Sequence, residues 1–498
     1  MPPDLPGPSP RPSPLKRTLA AFISIAVIAL IFADIEISTH DPWAEMARLF
    51  AAVLRPDFTA TEALGLALVY TLAFALVGVA LACVAGFLLA LAFGSRAVRA
   101  GCAIVRAVHE LFWALIFLQF FGLSPLTGIL AIAIPYAGIV AKVFAEILEE
   151  ADPRPLDGVP AGTGTVSRFL YARLPEAWPH FRTYALYRLE CGLRSSAILG
   201  FLGLPTLGFH LESAFSEGRY PEVWALLFLF CLVIATMHLW LRRQLLPLYL
   251  VGALLVLPWS VPAAGIGVWQ FLTHDIVPVP LRRGEGMAEF WDWLAPLLTE
   301  QALPGLIATV QLSMIALVGT ALIAFAVFPL ISPLFFDRAG RGLGHVGLVL
   351  LRSTPEYLLA YMLLQLWGPS MLPAIVALAL HNGAIVGHLT GRFTETLSLR
   401  ADAPTGIDRY AYEVLPRVYR QTLALLFYRW EVILRETAIL GMLGVATLGF
   451  YVDSAFADIR YDRALLLIAV TAALNLCVDA ISRAIRSRLR LQTRLTGS

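Results

Sequence analysis

Apolar residues in this chain gather into long blocks separated by short polar stretches. A window of about 19 residues finds twelve blocks, near 18–37, 64–94, 104–122, 125–147, 179–204, 222–241, 245–268, 303–332, 346–368, 370–391, 420–446 and 463–483. A membrane span needs about 20 apolar residues, so each block predicts one helix. The expectation is an all-α membrane protein of about 12 transmembrane helices. The first block is not read as a cleavable signal peptide, because its leader PPDLPGPSPRPSP is proline-rich and no small-x-small site follows. Residues 1–15 read as a disordered tail.

Composition agrees. Of 498 residues 58% are hydrophobic and 14% charged, with a mean hydropathy of +0.75. Soluble chains carry roughly 45–50% apolar and about 25% charged residues, so a water-exposed fold of this length is excluded. The net charge of +2 gives no argument for a nucleic-acid partner. Cys83, Cys102, Cys191, Cys231 and Cys477 stand singly in apolar runs, without a CxxC pair or disulfide framework. The nine histidines show no metal spacing, His381 and His388 sharing at most a helix face. Placing the Lys/Arg-rich loops inside puts both termini in the cytoplasm, in agreement with Arg242, Arg243 and the tail Arg483, Arg486, Arg488, Arg490 and Arg494.

The chain repeats itself. YRLECGLRSSAILGFLGLPTLGFHLESAF (187–215) aligns without a gap on YRWEVILRETAILGMLGVATLGFYVDSAF (428–456), with 18 identities in 29 positions. Upstream, AVHELFWALIFLQFFG with Glu110 aligns on STPEYLLAYMLLQLWG with Glu356. Each half then holds six spans, an even number, so the halves insert in parallel about an axis along the membrane normal. The expected division is a cytoplasmic tail 1–17, halves 18–243 and 244–486, and a basic tail 487–498. A pseudo-symmetric transmembrane dimer of this kind suggests transport. No GxxxxGK[ST] phosphate loop is present, so ATP hydrolysis by that mechanism would come from a separate subunit.

The charges within the fifth span of each half carry the candidate chemistry: Arg188, Glu190 and Arg194 recur as Arg429, Glu431 and Arg435. A charge at the membrane centre costs about 2.5–3.5 kcal/mol on insertion scales, so these groups should face inward. Glu190 can meet Arg194 one turn on, which leaves Arg188, and likewise Arg429, without a partner in its own helix. Two surplus guanidiniums could hold an oxyanion in their planar forks. The alternative is a structural or gating ion-pair network, with Glu110 and Glu356 following Arg106 and Arg352 by four residues or reaching Arg188 and Arg429. Gly200, Gly203 and Gly208, matched by Gly441, Gly444 and Gly449, fit close helix approach or a bent re-entrant segment near the outer face. Arg219 and Arg460 follow on the outer side.

Between the fourth and fifth spans of each half lies a long loop, at about 148–178 and 392–419, closing with Leu174-Pro175 or Leu415-Pro416. Proline at a helix start predicts a short helix, a break and a new membrane helix. This resembles the coupling loop of binding-protein-dependent ABC transporter permeases. Gly162 stands thirteen residues before Pro175, with Asp157 at the acidic position; the second loop has Ala403 at the glycine place and Gly406 three residues later. LRSSAILGFLGLPTLGF and LRETAILGMLGVATLGF, with HELFWAL and PEYLLAY upstream, resemble the signature region of phosphonate ABC permeases. The likeness covers about 60–241 and 300–483. It implies two permease halves fused in one chain with a type I ABC importer-like fold, in the bacterial inner membrane, needing no homodimer and no cofactor. The implied partners are two copies of a cytoplasmic ABC ATPase, received by the two loops, and a periplasmic solute-binding protein delivering a phosphonate or related oxyanion. The outer glycines, Arg219 and Arg460 read as a periplasmic gate or a dock for that protein, with plain helix packing and solvated loop charges as the alternatives. The alternative is a twelve-helix ion-coupled secondary transporter, which FFDRAGRGLG (335–344) loosely supports.

Overall fold

The computed structural model describes residues 14–39, 41–160, 162–259 and 267–489, and all regular structure among them is helical. The leader through residue 13 and the tail arginines Arg490 and Arg494 lie outside the described residues. In chain order the first part contains α1 (Pro14–Ile31), α2 (Pro42–Ala52), α3 (Leu64–Leu91), α4 (Arg96–Ala107), α5 (Glu110–Phe121), α6 (Pro125–Glu150), α7 (Leu174–Ile198), α8 (Leu207–Ser216) and α9 (Tyr220–Ala235). The rest contains α10 (Leu246–Val256), α11 (Met287–Pro296), α12 (Leu303–Val327), α13 (Arg338–Ser353), α14 (Glu356–Trp367), α15 (Met371–Phe393), α16 (Leu415–Met442), α17 (Leu448–Ala457) and α18 (Tyr461–Arg488).

By length and apolarity five helical stretches can cross a membrane: Leu64–Leu91, Pro125–Glu150, Met287–Ile331, Met371–Thr396 and Tyr461–Arg488. Counting each bent pair as one span gives up to 7. The chain is therefore a multi-pass helical membrane protein. Two expected spans are not straight. The 104–122 block is α4 and α5, meeting at 90°, where the His109 side chain accepts the Leu111 amide at 3.2 Å and starts a new helix. The 346–368 block divides likewise into α13 and α14, because Pro355 lacks the amide a continuous helix would need. The 245–268 block supplies in α10 only 11 helical residues, about 16 Å at 1.5 Å per residue.

The expected breaks before the Leu-Pro pairs are absent. The first runs without interruption through the π-helical turn Phe169–Arg173 into α7, the second through Arg409–Val414 into α16. A third π turn, Leu297–Ala302, joins α11 to α12 ahead of Pro304. Each proline ring would crowd the carbonyl four residues back. Widening that turn to the i→i+5 pattern carries the helix past it.

Matched helices pack alike: α3 along α6 and α12 along α15, with α4 and α5 against α6 as α13 and α14 are against α15. The terminal arms cross over. α1 lies on α12, where Gln311 Nε2 donates to the Ala29 carbonyl at 2.7 Å and Phe22 meets Phe427 and Trp430 edge-on. α10 lies on α3, burying Ala253 in the cluster of the first part. Each arm thus covers apolar surface of the other part of the chain.

Candidate functional site

α7 and α16 contribute corresponding positions to one cavity of about 130 Å³: Tyr187 and Tyr428, Arg188 and Arg429, Cys191 and Val432, Arg194 and Arg435, Ser195 and Glu436. Glu110 from α5 and Glu356 from α14 also line it, with His109 and Tyr136. At 3.6 residues per turn, positions i, i+1, i+4, i+7 and i+8 fall on an arc of about 120°, so a single face of each helix supplies its share of the wall.

Four arginines and three glutamates line this cavity, yet they do not pair. Among the described residues no carboxylate oxygen lies within 4.0 Å of Arg188, Arg194, Arg429 or Arg435. Arg188 Nε donates to Tyr184 Oη at 2.8 Å, and its guanidinium carbon lies 5.2, 5.3 and 5.6 Å from the ring centres of Tyr136, Tyr184 and Tyr187. Arg194 reaches His381 Nε2 at 3.4 Å and Cys191 Sγ at 3.5 Å. Arg435 Nη1 donates to the Arg106 carbonyl at 3.3 Å, while its buried Nε has no partner. The carboxylates are held by neutral groups and histidines. Glu110 accepts from Ser195 Oγ at 2.8 Å and faces His109 at 3.5 Å; Glu356 faces His381 at 3.4 Å; Glu436 accepts from Asn382 Nδ2 at 3.0 Å.

Glu190 and Glu431 fall outside the cavity arc. Glu431 lies 3.7 Å from Arg106, which bonds Asp479 at 2.8 Å. Asn475 Nδ2 donates to the Ala107 carbonyl beside them at 2.6 Å, joining α18 to α4. The expected Arg106–Glu110 pair is therefore replaced by a lock between the two parts of the chain. At the equivalent place on the other side Glu190 and Arg352 line a groove of about 520 Å³ with His345, Phe228 and Leu232. No ion pair joins them among the described residues, nor does Arg352 pair with Glu356 or Glu190 with Arg194. The difference lies in the matching residue: the position opposite Asp479 is His238, which carries no carboxylate and stands beyond the end of α9 at Ala235.

The glycines form two alike turns. A Cβ on Gly208 would collide with the Ala197 carbonyl, and one on Gly449 with that of Ala438; Gly200 and Gly441 press in turn on the amides of Phe209 and Phe450. Gly203 and Gly444 sit at φ +90° and +99°, the left-handed region that glycine enters freely. Thr71 Oγ1 accepts the Leu207 amide at 2.9 Å and Thr309 Oγ1 that of Leu448 at 3.0 Å, fixing the starts of α8 and α17. Arg219 is engaged by Glu222 and by Glu217 at 3.0 Å; Arg460 makes no such pair among the described residues. In the loops Asp157 ends a short exposed helix, and Gly162 and Gly406 have φ +96° and +62° with open space around them. Leu174-Pro175 and Leu415-Pro416 begin α7 and α16, so each loop continues directly into a cavity-lining helix. Within FFDRAGRGLG, Asp337 accepts the Gly340 amide at 2.8 Å and caps α13, which makes it a basic helix start.

The sequence reading missed Tyr136, Tyr187, Tyr428, Ser195 and Glu436. The signal for all but Tyr136 was the repeat itself, which puts the other four on identical or matched positions of the cavity arc.

A charged cavity between paired helices of a multi-pass protein fits a transport permease component. Residues 327–491 match the family model for the binding-protein-dependent transport system inner membrane component. A phosphite transport system permease protein of Stutzerimonas stutzeri is 32% identical over 194 residues, 36% of this chain and 70% of that one. A phosphate-import permease protein of Mycolicibacterium smegmatis is 25% identical over 486 residues, 89% of this chain and 88% of that one. A shorter relative from Escherichia coli K12, named for cryptic phosphonate transport, is 29% identical over 115 residues, 23% of this chain and 94% of its own. No solved structure matches. The chain belongs to the family of binding-protein-dependent transport system inner membrane components, and its length accommodates two permease halves.

Proposed function

We propose that the chain is the transmembrane path of an ATP-driven importer for a phosphorus oxyanion, of the class that names its phosphate, phosphite and phosphonate relatives. The observation that carries this reading is the cavity with four arginines and no carboxylate paired to any of them. A buried charge without its partner costs several kcal/mol, and a passing oxyanion would offset that cost. The two halves 18–243 and 244–486 insert in parallel, with both termini in the cytoplasm. A periplasmic binding protein delivers the solute at the glycine turns and Arg460. Two copies of a cytoplasmic ATPase bind the loops around Asp157–Pro175 and Gly406–Pro416. Because those loops run unbroken into α7 and α16, ATPase motion reaches the cavity through rigid helix. Uptake of radiolabelled phosphate or phosphite by cells whose only importer contains this chain tests the reading. Arg188→Gln should abolish uptake at normal membrane abundance, and unchanged uptake would refute the path through this cavity.

A further inference from the structure

The cavity walls match in position but not in chemistry. Around Arg188 stand Tyr184, Tyr136 and Ser195; the positions matching them around Arg429 are Leu425, Asn382 and Glu436. Arg188 is fixed by its Nε bond to Tyr184 and by three rings. An aromatic face attracts a cation through its quadrupole and leaves the full charge in place. Among the described residues nothing bonds its Nη1 or Nη2. Arg194 and Arg435 have guanidinium nitrogens engaged by His381, Cys191 and the Arg106 carbonyl, and among the described residues no bond fixes Arg429. Arg188 is thus the pre-oriented cation with an unused bidentate fork.

On the facing helix Glu436 presents the opposite requirement. Asn382 holds its Oε2 at 3.0 Å, and among the described residues no bond engages Oε1; Glu436 lines the cavity with Glu110 and Glu356. A carboxylate beside an anion is repulsive unless a proton lies between them. A solute that keeps an O–H supplies that proton.

We infer that the cavity takes its solute one-sidedly: the Arg188 fork holds ionised oxygens and Glu436 accepts a hydroxyl, which selects a tetrahedral oxyanion that still carries a proton. Inorganic phosphate keeps an O–H in both of its forms near neutral pH, and phosphite and alkylphosphonates keep one as monoanions, whereas sulfate, of the same shape, has no proton to donate. The inference rests on the cavity being the solute path.

Equilibrium binding of radiolabelled inorganic phosphate to the purified full chain in nanodiscs, with sulfate as competitor, tests it. Wild type should bind phosphate and resist sulfate by about 100-fold, since a site built around a substrate hydroxyl rejects an analogue lacking it at least that well. Arg188→Gln should weaken phosphate by roughly 30-fold or more, and at least tenfold more than Arg429→Gln does. Glu436→Gln, isosteric and neutral, should bring sulfate within about threefold of phosphate; Glu436→Ser, which copies Ser195, should do the same and guards against misfolding of the first variant. Retained discrimination in both Glu436 variants overturns the proposal, as does an equal loss in the two arginine variants. Absence of saturable phosphate binding to wild type, while uptake in cells still requires Arg188, overturns this site and leaves the path reading standing. Uptake indifferent to Arg188 removes both.

Discussion

Asp479→Ala should destabilise the protein far more than removal of any one carboxylate on the opposite seam. Asp479 is 4% exposed and bonds Arg106, itself 13% exposed, at 2.8 Å, with Arg483 at 3.3 Å. Removing one partner of a buried pair costs about 3–5 kcal/mol, because the other charge is stranded. Glu431 remains 3.7 Å from Arg106 and takes up part of that charge, and Arg483 is half exposed and rehydrates, so the lower end applies. A loss of about 3 kcal/mol corresponds to a roughly 100-fold shift in the folding equilibrium. Denaturant unfolding of purified protein, followed by tryptophan fluorescence, measures it. The double variant Arg106→Gln with Asp479→Asn should recover part of the loss, since the stranded Arg106 charge is gone and only Glu431 then lacks its cation. On the other seam Glu190 has no ion pair among the described residues, so Glu190→Gln should cost under about 1 kcal/mol. If Asp479→Ala is as mild as Glu190→Gln, the lock is not a stabilising contact and the argument fails.

Gly208→Ala and Gly449→Ala drive a methyl into the backbone carbonyls of Ala197 and Ala438, which cannot move aside as a side chain can; the loss should exceed the usual 1–3 kcal/mol of overpacking, read as lower yield of folded protein. Gly444→Ala has open space but φ +99°, so it should cost only about 1–2 kcal/mol, and an equal effect at Gly449 would contradict the packing account. Gly162→Arg or Pro175→Arg should separate ATP hydrolysis from uptake in the assembled transporter while the chain still inserts. Reporter fusions at the C-terminus should read cytoplasmic, and a periplasmic signal would refute the parallel arrangement of the halves.

The repeat was legible and pointed to the parts that matter, because two copies of one segment fold alike: the glycine turns, the threonine brackets on α8 and α17, and the cavity helices all recur at matched positions. The crossing of α1 and α10 was not legible. Apolarity marks a helix for burial without saying against which neighbour, and Phe22 seated on Trp430 is a contact more than 400 residues apart in sequence. The bends at His109 and Pro355 were masked for a related reason: a hydropathy window averages over a break of two or three residues. The π turns ahead of Pro175, Pro304 and Pro416 show where the proline rule needs extending, since a proline at a helix start does not by itself end the helix before it.

At the site, sequence spacing singles out charged residues of which six line the cavity, Arg188, Arg194, Arg429, Arg435, Glu110 and Glu356, but spacing alone does not give their directions. Glu190 was paired with Arg194 by sequence spacing, as neighbours one turn apart. Yet Tyr187, Arg188, Cys191, Arg194 and Ser195 fit one arc of about 120°, and at about 100° per residue Glu190 falls some 40° beyond its edge. The same spacing excludes Glu431 and admits Glu436, which puts a carboxylate opposite the Ser195 hydroxyl of the other wall. An alignment of the two segments shows Ser195 facing Glu436 as one mismatch among eleven. Only the helical phase tells that this mismatch, unlike Gly192 against Ile433 on the buried side, is turned toward the cavity. Phase therefore separates the substitutions that alter packing from those that alter the charge a solute would meet.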